Sequence, residues 1–237
     1  MKTFYLLLVV LVAWPLSAAE KAPASPKTVL CLLVKDQRGE TLLKVAVDTS
    51  DTPNLADWGK RAGEACTKWM PKISALLPSD GFTTPKSVTL RFLNDKKGVA
   101  GTSGDKISIA AAYVRGHTND FGMVIHELTH VVQAYPKAKE GFTKPLWLIE
   151  GIADYIRLYH FEPDAPRPRV NPDKASYRDS YKTAAAFLAW LEQRNPGAVK
   201  KLNAALRQGR FKENLFQDCA GKPLDELWRD FTDSLRK

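Results

Sequence analysis

The segment VIHELTHVV, residues 124–132, brings two imidazoles and a carboxylate within five positions, a donor set suited to a divalent metal. Zinc binds neutral imidazole and carboxylate, and two histidines four residues apart on a helix stand one turn above each other. At about 100° per residue, Val124, Ile125, Leu128, Val131, Val132 and Tyr135 share one arc. His126, Thr129, His130 and Gln133 share the opposite arc, and Glu127 falls at its margin. From there Glu127 sits beside a metal rather than on it, where a carboxylate can act as general base toward metal-bound water. Alone, the pair also fits two hydrogen-bonded histidines on an amphipathic helix. However, the chain has only 4 His, and two of them take this spacing.

A zinc site needs a third ligand. A metzincin continuation would place Gly at 133 and His at 136, whereas this chain has Gln133 and Pro136. His117 precedes the helix and His160 closes the following one, and neither falls in a recognisable motif. The remaining source is the segment PLWLIEGIADY, residues 145–155, which reads as a helix with Pro145 in its first turn. Its apolar side is Leu148, Ile149, Ile152, Tyr155, Ile156 and Tyr159, and Glu150 and Asp154 share the other face one turn apart. A carboxylate within so apolar a stretch is costly unless paired or metal-bound. Glu150 therefore becomes the third ligand, and Asp154 the acceptor of a hydrogen bond from a ligand histidine. The bland alternative is a solvated helix face.

These two helices need a scaffold. Thr28 to Lys35 and Thr41 to Val47 read as strands joined by a turn at Arg38-Gly39, and Leu55 to Leu77 as a helix that Pro71 kinks or ends. Ser87 to Leu93 and Lys106 to Ala111 are further strands, joined by the Gly-rich segment Gly98 to Gly104. The second of them is a candidate edge for an extended substrate, or simply a sheet strand. Helices follow near 120–135, 145–160, 176–194, 196–207 and 223–235, with a Pro-rich loop from Pro163 to Pro172. Strands first and helices afterwards describe an α+β fold: an N-terminal mixed sheet with a helix, then a mostly helical half.

HELTHVVQ followed by PLWLIEGIADYIRL resembles the basic secretory protein family of plants and bacteria, which are zinc peptidases. The likeness continues through SY at 176–177, TAAAFLAWL at 183–191, VKKLN at 199–203 and GKPLDELW at 221–228, covering most of the chain after residue 120. The resemblance implies a zincin-like fold and a gluzincin-like site, with one zinc per chain on His126, His130 and Glu150, Glu127 as base and Asp154 behind the ligands. It implies a peptide or protein substrate, without deciding between endo- and exopeptidase. Tyr181 lies within the resembling segment and is the candidate donor to the oxyanion. Tyr177, Tyr181, Ala184, Leu188 and Leu191 equally read as a plain core stripe.

The first 19 residues read as an export signal: Lys2, the apolar run Phe4 to Val12, Pro15, then Ser17-Ala18-Ala19 before cleavage. The run is far shorter than the roughly twenty apolar residues of a membrane span, so the mature form is expected in the secreted or periplasmic space without an anchor. Residues 20–27 read as a flexible lead-in, and 28–237 as one peptidase domain, with sheet and active-site helix to 135 and a helical subdomain from 136. The whole chain carries 35 Lys and Arg against 26 Asp and Glu. These cations are scattered and not interleaved with aromatics, which argues against nucleic acid. Three cysteines, none in a CxxC pair, argue against a sulfur-ligated zinc site, with Cys66–Cys219 as the favoured bridge if one forms and Cys31 left over. A monomer is expected. Two other functions stay open. One is a non-catalytic zinc-containing binding or defence protein, in which His117 or His160 would fill a fourth position. The other is a basic protein that binds an acidic polymer.

Overall fold

The structure, a computed structural model, describes residues 29–137, 142, 144–179 and 181–236. The expected export signal and lead-in lie outside the described residues. Among the described residues five strands make one sheet: β1 Val29–Lys35, β2 Thr41–Asp48, β3 Ser87–Leu93, β4 Ala100–Ser103 and β5 Lys106–Ala110. Their spatial order is β1-β2-β3-β5-β4. β2, β3 and β5 run parallel, while β1 and β4 run antiparallel to their neighbours at the two edges.

Period-two patterning sets which face of the sheet is covered. Leu43, Val45 and Val47 of β2, Val88, Leu90 and Phe92 of β3, and Ile107 and Ile109 of β5 are all buried. Helix α1, Ala56–Leu76, lies on this face through Trp58, Ala62, Cys66, Met70 and Ile73. It comes close because Gly59 and Gly63 have no side chain. A Cβ at either would stand 2.9 Å from a Val47 methyl. α1 continues past Pro71 instead of ending there. Pro71 lies on the exposed side, so its ring meets solvent and the helix loses one backbone bond.

Two further expectations need correction. The Gly-rich connector contains a strand, β4, which takes the edge position. β5 is therefore an inner strand, with β3 on one side and β4 on the other, and offers no free edge. The Cys66–Cys219 bridge is not formed, and all three thiols are free. Cys66 points into the core beneath α1, where burial pushes its thiol up to about 12. Cys219 sits on a helix of the C-terminal half.

That half comprises α3 Gly122–Gln133, α4 Leu146–Ile156, α5 Tyr181–Arg194, α6 Ala198–Arg207, α7 Leu215–Ala220 and α8 Leu224–Ser234. The short α2, Ala111–Gly116, links it to β5. α2 and α7, six residues each, carry too few turns to show a helical period in sequence. A π-helical stretch, Arg157–Phe161, extends α4. No helix among the described residues is long and apolar enough to cross a membrane.

Candidate metal centre

α3 is anchored at both ends. At its start, Asp120 Oδ1 accepts from the Met123 backbone N–H at 3.0 Å and from the Arg157 guanidinium at 2.8 Å. Its other oxygen accepts from the Tyr113 hydroxyl at 2.6 Å. Because Arg157 follows α4, this network ties the start of the histidine helix to the end of the glutamate helix. At its end, Ala134 turns left-handed with φ of 45°. Arg207 of α6 donates to Val132 O at 3.0 Å and Gln133 O at 3.1 Å, two of the carbonyls a helix terminus leaves unpaired. The same guanidinium reaches Leu77 O at 2.8 Å.

Between these anchors, α3 and α4 converge on one point. His126 Nε2 and His130 Nε2 lie 3.1 Å apart, and each lies 3.1 Å from Glu150 Oε2. Side-chain exposure is 15%, 16% and 17% for the three, so the point is largely buried yet still open to solvent. The tautomers follow from the opposite ring edges. His126 Nδ1 is 2.7 Å from Asp154 Oδ1, a carboxylate that can only accept when ionised. His130 Nδ1 is 2.7 Å from Gln133 Oε1, and the Gln133 amide is oriented by its Nε2 donating to Ile149 O at 2.9 Å. Both Nδ1 atoms thus carry the hydrogen, and in neutral rings both Nε2 lone pairs face each other and the Glu150 carboxylate.

Three lone-pair donors aimed at one point repel unless a cation lies among them. Their separations come close to the edge of about 3.4 Å that bonds of about 2.1 Å give a zinc tetrahedron. The cluster could therefore hold a metal ion. In metal-free protein a proton relieves the repulsion. Burial disfavours a charged His126, but the bonds to Asp154 and Glu150 outweigh it and push the ring up to about 9. Burial likewise opposes a charged Glu150, yet the two imidazoles hold it down at about 2.

Glu127 is buried beside this cluster, with 8% of its surface exposed. The Thr102 hydroxyl of β4 lies 2.7 Å from Glu127 Oε2 and 3.0 Å from Glu127 O. The Tyr181 ring meets the His126 ring edge-on, with centroids 5.9 Å apart, and Tyr181 is 49% exposed. The negative field of Glu150, more than burial, raises its phenol. Tyr177 is 3% exposed and precedes α5, so the stripe read across these tyrosines divides: Tyr177 belongs to the core, and Tyr181 opens onto the cleft. His117 is exposed, stacks on Tyr113 and bonds its carbonyl, and His160 packs against Tyr155. Neither joins the cluster.

Thr102 and Gln133 were given no role from sequence. Gln133 shares the arc of the two histidines, which marks it as facing the site. Thr102 lies in a Gly-rich connector, and only the strand pairing reveals it. A cleft of about 1180 Å³ runs over all these groups, bounded by β4 on one side and by the starts of α4 and α5 on the other.

A family model described as BSP, peptidase of plants and bacteria, matches residues 66–231. No curated protein shows detectable sequence similarity. Among solved structures, the chain is similar to a mutant of a two-domain M1 zinc metallopeptidase bound to L-arginine, with TM-score 0.51 and 13% identity. The match covers 87% of this chain and 52% of that one, so the chain spans about half the neighbour's length and the likeness concerns the fold alone.

Proposed function

This chain belongs to the BSP family, the peptidases of plants and bacteria, and from that premise we propose a secreted zinc peptidase. His126, His130 and Glu150 hold one zinc per chain, and Glu127 is the general base. The observation that carries this reading is the triangle of donors 3.1 Å apart, with both outer ring nitrogens committed elsewhere. Export with cleavage after Ala19, an HExxH-plus-Glu gluzincin type and a single peptidase domain in the mature chain are part of the proposal.

Bound zinc would supply a water of lowered pKa and polarise the substrate carbonyl. The protein's own groups do the rest. Asp154 and Gln133 fix the tautomer and tilt of the two rings. Glu127, with one oxygen held by Thr102, takes a proton from the attacking water on the carboxylate and delivers it to the departing amine. The Tyr181 hydroxyl, at the mouth of the cleft, donates to the oxygen that gains charge. The edge of β4, beside Glu127, offers backbone groups for an extended peptide to pair with.

The test is metal content and protein hydrolysis measured together. Wild type should carry one zinc and cleave a generic protein substrate, and a chelator should abolish cleavage. Glu127→Gln should keep the metal and lose activity. His126→Ala that loses zinc yet cleaves at the wild-type rate would overturn the mechanism.

A further inference from the structure

Among the described residues, the charged groups along the cleft fall into two sets, those with a partner inside the protein and those without. Four of its carboxylates are engaged: Glu150 by two imidazoles, Asp154 by His126, Glu127 by Thr102, and Asp105 by the Ser87 hydroxyl at 2.9 Å. Arg157 is consumed by Asp120 and Glu162. Three more cations line the cleft from two separate parts of the chain: Lys137 and Lys144 from the connection between α3 and α4, and Lys182 from the start of α5. Among the described residues none of the three makes a hydrogen bond or an ion pair. Lys137 and Lys182 are exposed and Lys144 is half-buried. Scattered surface lysines are ordinarily just solvated. These stand in one concavity and, among the described residues, none is paired with a carboxylate, so each is free to meet an acidic group of a substrate lying there.

The fold also indicates which part of a substrate meets them. Antiparallel addition, the more favourable geometry, would run a peptide opposite to the Ala100–Ser103 direction of β4. Thr102 is bonded to Glu127, so the bond to be cut crosses near Thr102, and the peptide's N-terminal half extends toward Ser103 and Asp105. Asp105 is bonded to Ser87, the first residue of β3. β2 and β3 are parallel and joined through α1, so the start of β3 lies where α1 ends, next to Leu77. Arg207 joins Leu77 O to Val132 O and Gln133 O, which brings the end of α3 to the same side. Lys137 leaves from that end of α3, and Lys144 enters α4 beside it.

We infer that the cleft selects extended peptides bearing an acidic side chain on the N-terminal side of the scissile bond, with Lys137 and Lys144 as the selecting groups. The inference rests on the peptidase reading and adds a substrate class to it.

The experiment uses the zinc-loaded mature protein and a panel of quenched peptides of equal length, carrying Asp, Ala or Lys at one position at a time, with cleaved bonds mapped by mass spectrometry. Asp on the N-terminal side should raise kcat/KM about tenfold over Ala, and Lys should lower it. The preference should shrink toward parity at about 0.5 M salt, where the screening length falls to a few ångströms. The Lys137→Glu, Lys144→Glu double variant should invert it. In parallel, the Glu127→Gln protein is titrated with labelled Asp and Ala peptides, with anisotropy as the readout, and should rank them in the same order. A flat panel from an active enzyme, a preference on the C-terminal side, or one unchanged in the double variant overturns the inference alone. No cleavage of any peptide, with the same ranking by anisotropy, overturns the peptidase reading and leaves the charge selectivity standing.

Discussion

Gly151 directly follows Glu150, the carboxylate proposed to hold zinc, and replacing it with Ala tests whether helix spacing sets the triangle of donors. A Cβ there would stand 2.7 Å from the Ala184 Cβ, 3.3 Å from Leu188 Cδ1 and 3.5 Å from the Ala184 backbone carbon. Carbon atoms pack at about 3.5–4.0 Å, so the new methyl overlaps its neighbour by about 1 Å. Ala184 has no flexible tip to swing aside, and relief must come from separating α4 from α5. Overpacking of this kind costs about 1–3 kcal/mol. In a chain of this size that lowers Tm by about 3–10 °C. If α4 takes half of the displacement, the Glu150 carboxylate moves by about 0.5 Å, beyond the ~0.2 Å that metal–ligand distances tolerate. Zinc affinity should then fall about 10- to 100-fold, the range seen when supporting groups around a metal are lost. The assay is calorimetric unfolding of metal-free protein beside zinc competition against a chromophoric chelator. Gly116→Ala serves as the control, because its Cβ would meet nothing within 4 Å. Unchanged melting in Gly151→Ala would refute the close approach. Lower melting with wild-type zinc affinity would refute the link from helix spacing to ligand geometry.

Thr102→Val keeps the shape of the side chain and removes a 2.7 Å bond to a charged acceptor, an interaction worth about 1.5–3 kcal/mol. Steady-state kinetics should show kcat lowered about tenfold or more with KM little changed and zinc retained, Thr102→Ser should recover most of the loss, and an equal fall with Ser would exclude the hydroxyl. Asp154→Ala removes the acceptor that orients His126, so zinc affinity measured by competition should drop about 10- to 100-fold, with Asp154→Asn milder because its amide oxygen still accepts. Metal-free protein should be most stable between about pH 4.5 and 6.5 in thermal melts. His126, raised from 6.5 to about 9, contributes stability that is whole below 6.5 and lost as pH climbs through 9. Glu150, lowered from 4.5 to about 2, contributes stability that is whole above 4.5 and lost as pH falls through 2. A monotonic profile across this range would contradict the proton-bridged cluster.

The α+β division and the strands at 41–48, 87–93 and 106–110 were legible because one covered face imposes period-two burial. The grouping of Glu150 with the two histidines was legible for a related reason, since a carboxylate among Leu148, Ile149 and Ile152 has no comfortable fate except a partner. What stayed hidden depends on pairing across the chain. β4 is four residues long with a glycine inside it, so nothing in VAGTSG distinguishes a strand from a turn until β5 supplies its ladder. That single omission displaced the free edge by one strand, and it concealed Thr102 as well. Long-range guanidinium work was equally invisible. Arg207, 74 and 130 residues from the carbonyls it holds, reads in sequence as one more solvated cation on an amphipathic helix. The pattern is general for sites of this type. Atoms that touch a metal sit at fixed spacing on one or two helices and announce themselves. The groups that aim those helices come from wherever the fold returns, and a sequence carries no local mark of where that is. If this reasoning holds, Arg207→Ala should loosen the end of α3, speeding hydrogen exchange at Val132 and Gln133 while leaving the exchange of Met123 and Val124, anchored by Asp120, as in wild type.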